Sequence, residues 1–386
     1  MARIHLVLTD DWELFGDGSG NMRRIQFDTM KQLADLYDRF GLKGTFNVEV
    51  MQQLYHLDYG QRYPHLLALA HEWESLVQDI YARGHDVQLH VHPQWHQARY
   101  EDGQWSLNPR WSILDYSYAD ALHMLETCKD YLEALLSRSH PDYQCVAFRS
   151  GAWFVAPGDH ILPILSTLGI RCDMSLAKGL YTQLELGKLD YRDIDEPFLP
   201  FYPQMHDARR LADRQQPIVC VPTHSRRWGI EGAGFSLVRK IAKRLPARLL
   251  PDVWHASFLP PNATAIRDSG VVKDYYRQTW GQKTGRVSRL SKAAAFLKSQ
   301  SNRVSDLSSL SYLEMKLVMR DIRQRMRASG QSVVPVILAN HTKNIGDFRP
   351  IEKFCEYLAR ASDIEVMTSR EMVKNLYSGQ YMIRSA

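Results

Sequence analysis

The sequence predicts an α/β protein with a mainly parallel sheet and covering helices, and three observations carry that prediction. Short apolar runs of strand type recur, at Ile4 to Leu8, Lys43 to Val50 and Val87 to Val91. Segments with helical spacing separate them, as where Met30, Leu33, Ala34 and Tyr37 repeat between Phe27 and Phe40 before a stop at Gly41. The predicted strands also end in polar residues, where open α/β and barrel enzymes place their chemistry.

Taken in order, the first strand runs into Thr9-Asp10-Asp11-Trp12-Glu13, and the segment that follows, closing in Gly-Asp-Gly-Ser-Gly, reads as a functional loop. A helix near Leu66 to Arg83 passes through Gly84 into the next strand. The amphipathic helix Tyr118 to Ser137 leads to a strand ending in Arg149 and a glycine turn. Helix Asp159 to Leu168 stops at Gly169 before the strand Ile170 to Ser175. Leu184 to Pro203, rich in Asp, Tyr and Pro, predicts a long loop lining the cleft, ahead of a strand from Ile218 to Val221 that leads to His224. Val333 to Leu338 is a strand followed by Ala339-Asn340-His341. A helix near Ile351 to Ala361, a strand from Glu365 to Met367 and a helix starting at Thr368 complete the chain.

Composition shifts between Arg226 and Gly330, where basic residues outnumber acidic ones about three to one, in clusters that include Arg239, Lys240, Lys243 and Arg244. This divides the chain into 1–225, a basic, partly helical insertion at 226–330, and 331–386. The excess charge suits an anionic headgroup or nucleotide, so peripheral contact with an anionic surface is an expectation for this stretch. With 386 residues, 45% of them apolar, the chain can bury a large core, and a net charge of only +5 does not indicate a nucleic-acid partner. The five cysteines are odd in number and form no Cys-x-x-Cys pair, which predicts reduced core thiols. No secretory signal and no apolar run of about 20 residues is present, so the expectation is a cytoplasmic protein that does not cross a membrane.

Chemistry concentrates at Gly-His-Asp-Val-Gln-Leu-His-Val-His-Pro-Gln-Trp, residues 84–95. Period-two alternation puts His90 and His92 on one face, and Pro93 ends the strand and leaves both at its mouth. His85 has the wrong parity, and His96 lies beyond Pro93. Two imidazoles call for an oxygen ligand, and the carboxylates from Asp10 to Glu13 are the candidates.

The order of strand ends resembles the polysaccharide deacetylase family, the NodB-homology metal-dependent carbohydrate esterases. Thr9-Asp10-Asp11 is similar to its Asp-Asp motif, Gly84-His85-Asp86 with His90 to its histidine motif, Phe148-Arg149 to its arginine motif, and Ile337 to His341 to its last histidine motif. The resemblance covers about two-thirds of the chain and leaves the basic stretch outside. Two departures stand out: Ser150-Gly151-Ala152-Trp153 follows the arginine, and Gln94 occupies the usual place of the second metal histidine.

The resemblance implies a distorted (β/α) barrel. It assigns Asp10 as general base, Arg149 as the residue orienting it, Asp11 as metal ligand with His90, and His341 as acid, while strand geometry adds His92. It also implies a divalent metal ion, zinc being the first choice for nitrogen and oxygen ligands, and N-deacetylation of an acetamido sugar; with no secretory signal, the expected saccharide is one that faces the cytoplasm, such as a nucleotide sugar or a lipid-linked glycan precursor. The rival readings are a non-sugar amide or ring C–N hydrolase on the same site, and a glycan- or nucleic-acid-binding protein without turnover.

Overall fold

The computed structural model describes residues 2–184, 187–229, 231–232, 234–235 and 301–386. Its centre is β1 (Arg3–Trp12), where nine of ten residues are buried. Burial on both faces is what a parallel strand covered on each side requires. Around it stand β2 (Thr45–Glu49), β3 (Asp86–Val91), β4 (Ala147–Ser150), β5 (Cys172–Asp173), β6 (Val219–Cys220), β7 (Val333–His341) and β8 (Ile364–Met367). The sheet order is β6-β5-β4-β3-β2-β1-β7, with β8 also on β1, and every pairing is parallel.

Two irregularities turn this sheet into a distorted barrel. Along one edge β1 changes partner, pairing with β8 from Ile4 to Val7 and with β2 from Thr9 to Trp12. Beyond β6, Thr223 bridges Ile337 of β7, and the His224 N–H donates to the Ile337 carbonyl at 2.8 Å, which closes the ring.

The helices form where the apolar spacing predicts them. α1 (Asp28–Arg39) buries Met30, Leu33, Ala34 and Tyr37, and Gly41 follows it at φ 66°. α2 (Val50–Gly60) is capped by the Glu49 carboxylate, which accepts from the Met51 and Gln52 N–H groups. α3 (Pro64–Ala82), α4 (Tyr118–Ser137) and α5 (Ile161–Thr167) follow. α6 (Tyr312–Ser329) and α8 (Ser369–Tyr377), which flank α7 (Arg349–Arg360), each open on a capping box, Ser311 with Glu314 and Thr368 with Glu371. Two apolar clusters are buried: one packs Leu6 and Leu8, on the outer face of the sheet, among the residues of α1 to α7, and the other joins Val7, Ala147, Cys172, Val219 and Ile337 to Met372, Val373 and Leu376 of α8.

The five cysteines are buried and unbridged, as the sequence predicts. Among the described residues no helix is long and apolar enough to cross a membrane. The cluster Arg239, Lys240, Lys243 and Arg244 lies outside the described residues, as does most of 226–330. What is described there belongs to the barrel's surroundings: residues Ser225–Trp228 pair antiparallel with Ser301–Val304, and α6 buries Met315, Val318, Met319 and Ile322. The segment expected to be a cleft loop instead contains the antiparallel pair Tyr181–Leu184 and Gly187–Asp190, and no described residue from 184 to 203 lines the cleft. The alternating residues of that pair satisfy one another's backbone, which composition alone does not reveal.

Candidate metal centre and the cleft around it

The C-terminal ends of β1, β3, β4 and β7 open into a cleft of ≈250 Å³. β1 extends four residues past the predicted end at Leu8, so alternation continues through the carboxylate run. Asp11 and Glu13 share one parity and both line the cleft; Asp10 has the other. Register does the rest. Asp11 stands opposite His341 on β7, and His90 opposite Arg149 on β4.

Glu13, His90 and His92 bring one ligand atom each within 4.8 Å of one another, and all are buried. His90 Nε2 lies 3.1 Å from Glu13 Oε2 and 3.0 Å from His92 Nε2, while His92 Nε2 also meets Glu13 Oε2. Tetrahedral ligands about 2.0–2.1 Å from one ion are about 3.3 Å apart, so the two sides of the triangle that meet at His90 are close to the spacing a metal site needs. Each imidazole is held from behind. His90 Nδ1 bonds the Arg149 carbonyl at 2.8 Å, so Nδ1 carries the proton and Nε2 faces the triangle. His92 Nδ1 lies 2.7 Å from the Gln94 carboxamide, whose oxygen is buried without a partner. Rotating that amide lets the oxygen accept from Nδ1–H and frees Nε2 as a ligand. Gln94, the departure from the expected histidine, thus positions His92.

A close approach of two strand ends sets this geometry. A Cβ on Gly151 would come within 2.6 Å of the Val91 carbonyl and 2.8 Å of His92 Cγ, so only glycine lets the β4 turn lie against His92. The next two residues, Ala152 and Trp153, hold φ of 50° and 71° and line the cleft. Non-glycine residues in that region are strained, and such strain gathers at binding sites.

Charge at the centre is set by pairing. Burial pushes the Glu13 carboxyl up, but His92, the Lys343 ammonium and His90 outweigh it and hold it well below the usual range. Asp11 is likewise opposed by burial yet lowered, chiefly by the Arg149 guanidinium at 3.2 Å; Asn47 donates to it at 2.8 Å. Burial lowers His90, yet Glu13 and Asp11 raise it on balance, while burial keeps His92 lowered. Two Nε2 atoms and a carboxylate oxygen facing one point require a cation or a shared proton there. His341, desolvated but raised by Asp306 at 2.8 Å, faces Asp11 at 3.5 Å. The Asp306 carboxylate is itself fixed by the Ser308 N–H at 2.9 Å and hydroxyl at 2.6 Å.

Of the residues singled out in the sequence, the structure brings together Asp11, His90, His92, Arg149 and His341. It does not bring Asp10 there. Parity turns that side chain outward, where it accepts from Asn340 Nδ2 at 2.7 Å and the Tyr37 hydroxyl at 3.0 Å, and Arg149 bonds Asp11 instead. Asp11 in turn is outside the triangle, where Glu13 stands with the histidines. His85 bonds the Gly44 N–H near the start of β3, and His96 packs edge-on against Tyr116. Glu13 carried a signal, its even spacing from Asp11, whereas Asp306 lies in the basic stretch, with no pattern to mark it, and Lys343 carried none beyond its spacing from His341.

No protein-family model and no curated protein sequence matches the chain. Its fold is similar to solved structures of two proteins named as polysaccharide deacetylases. The one from Mycobacterium smegmatis has 13% identity and a TM-score of 0.46, covering 100% of this chain and 94% of that one. The one from Pseudomonas aeruginosa PAO1 has 10% identity and a TM-score of 0.44, covering 98% and 92%. A PuuE allantoinase has 10% identity and a TM-score of 0.43, covering 98% and 91%.

Proposed function

We propose that the chain is a metal-dependent hydrolase that removes the N-acetyl group from an acetamido sugar of a saccharide. The observation that carries this reading is the buried Glu13–His90–His92 triangle, flanked within one cleft by a cation-paired carboxylate, Asp11, and a carboxylate-paired imidazole, His341. The donor set suits a divalent ion, zinc before others, since its ligands are two nitrogens and one oxygen. Such an ion, when bound, lowers the pKa of water from about 15.7 toward about 7 and polarises a carbonyl.

The remaining work falls to the chain. Asp11 is the general base: Arg149 and Asn47 fix its carboxylate, ionised, beside the triangle, where it takes the proton of the attacking water. His341 is the acid. Its Nδ1 is tied to Asp306, its raised pKa keeps a proton available near neutrality, and its Nε2 faces the cleft, where it protonates the departing amine. Lys343 holds Glu13 through Oε1, leaving Oε2 to the histidines, so the carboxylate offers a single oxygen as ligand. Trp111 and Trp153 supply aromatic walls of the kind that pack against sugar rings.

Two measurements test the proposal together. Elemental analysis of protein purified without chelator should find one divalent ion per chain. Acetate release from a panel of acetamido sugars should then vanish on chelation and return with metal. Metal-free protein, or activity indifferent to chelation, would sink it.

A further inference from the structure

Of the two departures from the deacetylase pattern, Gln94 stands behind His92, and Ser150-Gly151-Ala152-Trp153 leads out of β4 into the turn that carries Trp153 to the cleft. Ala152 and Trp153, two consecutive residues with side chains, hold φ of 50° and 71° there. L-residues leave that region unless their surroundings hold them in it. The Trp153 indole lies against two residues of the proposed reaction. Its ring centre is 4.8 Å from the Arg149 guanidinium carbon and 6.2 Å from the His341 ring centre. Arg149, covered in this way, is 0% exposed and paired with Asp11, so the place of the indole bears on base and acid alike.

The turn is held from outside the cleft. Tyr191 lies just past the strand Gly187–Asp190, in the stretch expected to be a cleft loop, and is 0% exposed. Its hydroxyl donates to the Trp153 carbonyl at 2.6 Å and accepts from the Val155 N–H at 3.0 Å and the Ala156 N–H at 3.3 Å. A phenol hydroxyl has one proton to give and few lone pairs to offer, so this turn takes up its bonding capacity. Val155 and Ala156 are 0% exposed as well, and without the hydroxyl their N–H groups are left buried and unpaired. Tyr191 is itself fixed by its backbone: its N–H donates to the Leu180 carbonyl at 2.8 Å, and its carbonyl accepts from the Gly179 N–H at 2.8 Å.

We infer that Tyr191 is a positioning residue of the proposed hydrolysis, acting through the backbone of the Ala152-Trp153 turn. It holds that turn in its left-handed conformation, which keeps the Trp153 indole against Arg149 and His341, while lining no part of the cleft itself. The inference rests on the reading of Asp11 and His341 as base and acid, and adds a residue that reaches neither of them directly.

Tyr191→Phe removes all three bonds and keeps the ring in its buried place. Ala152→Gly removes the need for a hold at one of the two strained positions, because glycine adopts positive φ at no steric cost. Protein labelled with ¹⁵N at its tryptophan indoles reports on the turn, with the Trp153 signal assigned from its loss in Trp153→Phe. In Tyr191→Phe that signal should shift or split, and in the double variant with Ala152→Gly it should return toward its wild-type position. Acetate release from N-acetylglucosamine and its oligomers should follow the same order. With metal content unchanged, kcat/KM should fall about 10- to 100-fold in Tyr191→Phe, the loss that a displacement of about 1 Å produces, and recover in the double variant. A tyrosine that only stabilises the fold would lower the unfolding midpoint and leave both readouts of the folded protein where they are. A wild-type signal or wild-type kcat/KM in Tyr191→Phe, or a displaced signal that Ala152→Gly does not bring back, overturns the inference. Should Tyr191→Phe fail to fold, a folded double variant supports the hold on the turn and an unfolded one overturns it. The indole signal needs neither metal nor turnover, so loss of that hold is distinct from failure of the hydrolase reading, which is judged on metal content and acetate release by the wild type.

Discussion

Asp10 and Asp11 are adjacent on β1 and both are buried, at 0% and 1% exposure, yet their environments drive them apart. Asp10 faces α1 with only neutral partners, Tyr37 and Asn340, and burial pushes its carboxyl up to about 7. Asp11 faces the cleft, where Arg149, His90 and His341 overcome the same burial and lower it. Burial by itself neutralises a carboxyl; an opposing charge within reach keeps it ionised. The barrel thus carries a charged, cation-paired inner face and a neutral, hydrogen-bonded outer face on one strand, one residue apart.

The strongest way to break this comparison is Glu13→Ala, which removes the single oxygen ligand from the inner face and leaves Lys343 without its carboxylate. Metal affinity, measured by competition with a chelating dye, should fall by more than the roughly 10- to 100-fold typical of residues that only touch a ligand, and turnover should vanish with it. An unchanged affinity would remove Glu13 from the centre.

Next comes Asp11→Asn. Metal content should persist while turnover falls roughly 10²- to 10⁴-fold, the contribution of a general base. Urea unfolding should also show a loss of up to about 3–5 kcal/mol, because Arg149 stays buried without the carboxylate it is paired with. Loss of metal together with turnover would make Asp11 a ligand instead of the base.

A smaller effect is expected from Gln94→Leu, which takes away the group behind His92 Nδ1 but no ligand. Metal affinity should drop about 10- to 100-fold, with turnover recovered at saturating metal. Turnover that stays low at saturation would assign Gln94 a role in the reaction itself.

The smallest effect belongs to the outer face. Asp10→Asn should leave metal content and turnover near wild type, since both partners can still bond an amide. Its signature is in pH. Between about pH 4 and about pH 7 the folded chain holds a proton on Asp10 that the unfolded chain has released, so this group costs stability progressively as pH rises, and the cost is constant above the folded value. The variant lacks that cost. Compared by urea unfolding, it should gain on wild type between about pH 5 and about pH 8 by on the order of 2–3 kcal/mol. Turnover lost with metal intact would instead place the base on the outer face and refute the assignment of Asp11.

The sequence by itself determined the parallel α/β architecture, because helical spacing such as Met30, Leu33, Ala34 and Tyr37, alternating strands and glycine stops are local signals that need no partner. It determined His90 and His92 as a pair for the same reason: period-two alternation and Pro93 act within a few residues. The role of the carboxylates was decided only in three dimensions. The apolar run stops at Leu8, but β1 continues to Trp12 because β2 and β7 supply backbone partners on both sides, and that extension fixes which face Asp10, Asp11 and Glu13 occupy. Asp306 reaches His341 through a bridge between residues 306 and 339, and Lys343 reaches Glu13 from a turn some 330 positions away in the chain. No spacing rule spans such distances. Parallel register and barrel closure set them, because those are contacts between segments that the order of residues within any one segment does not encode.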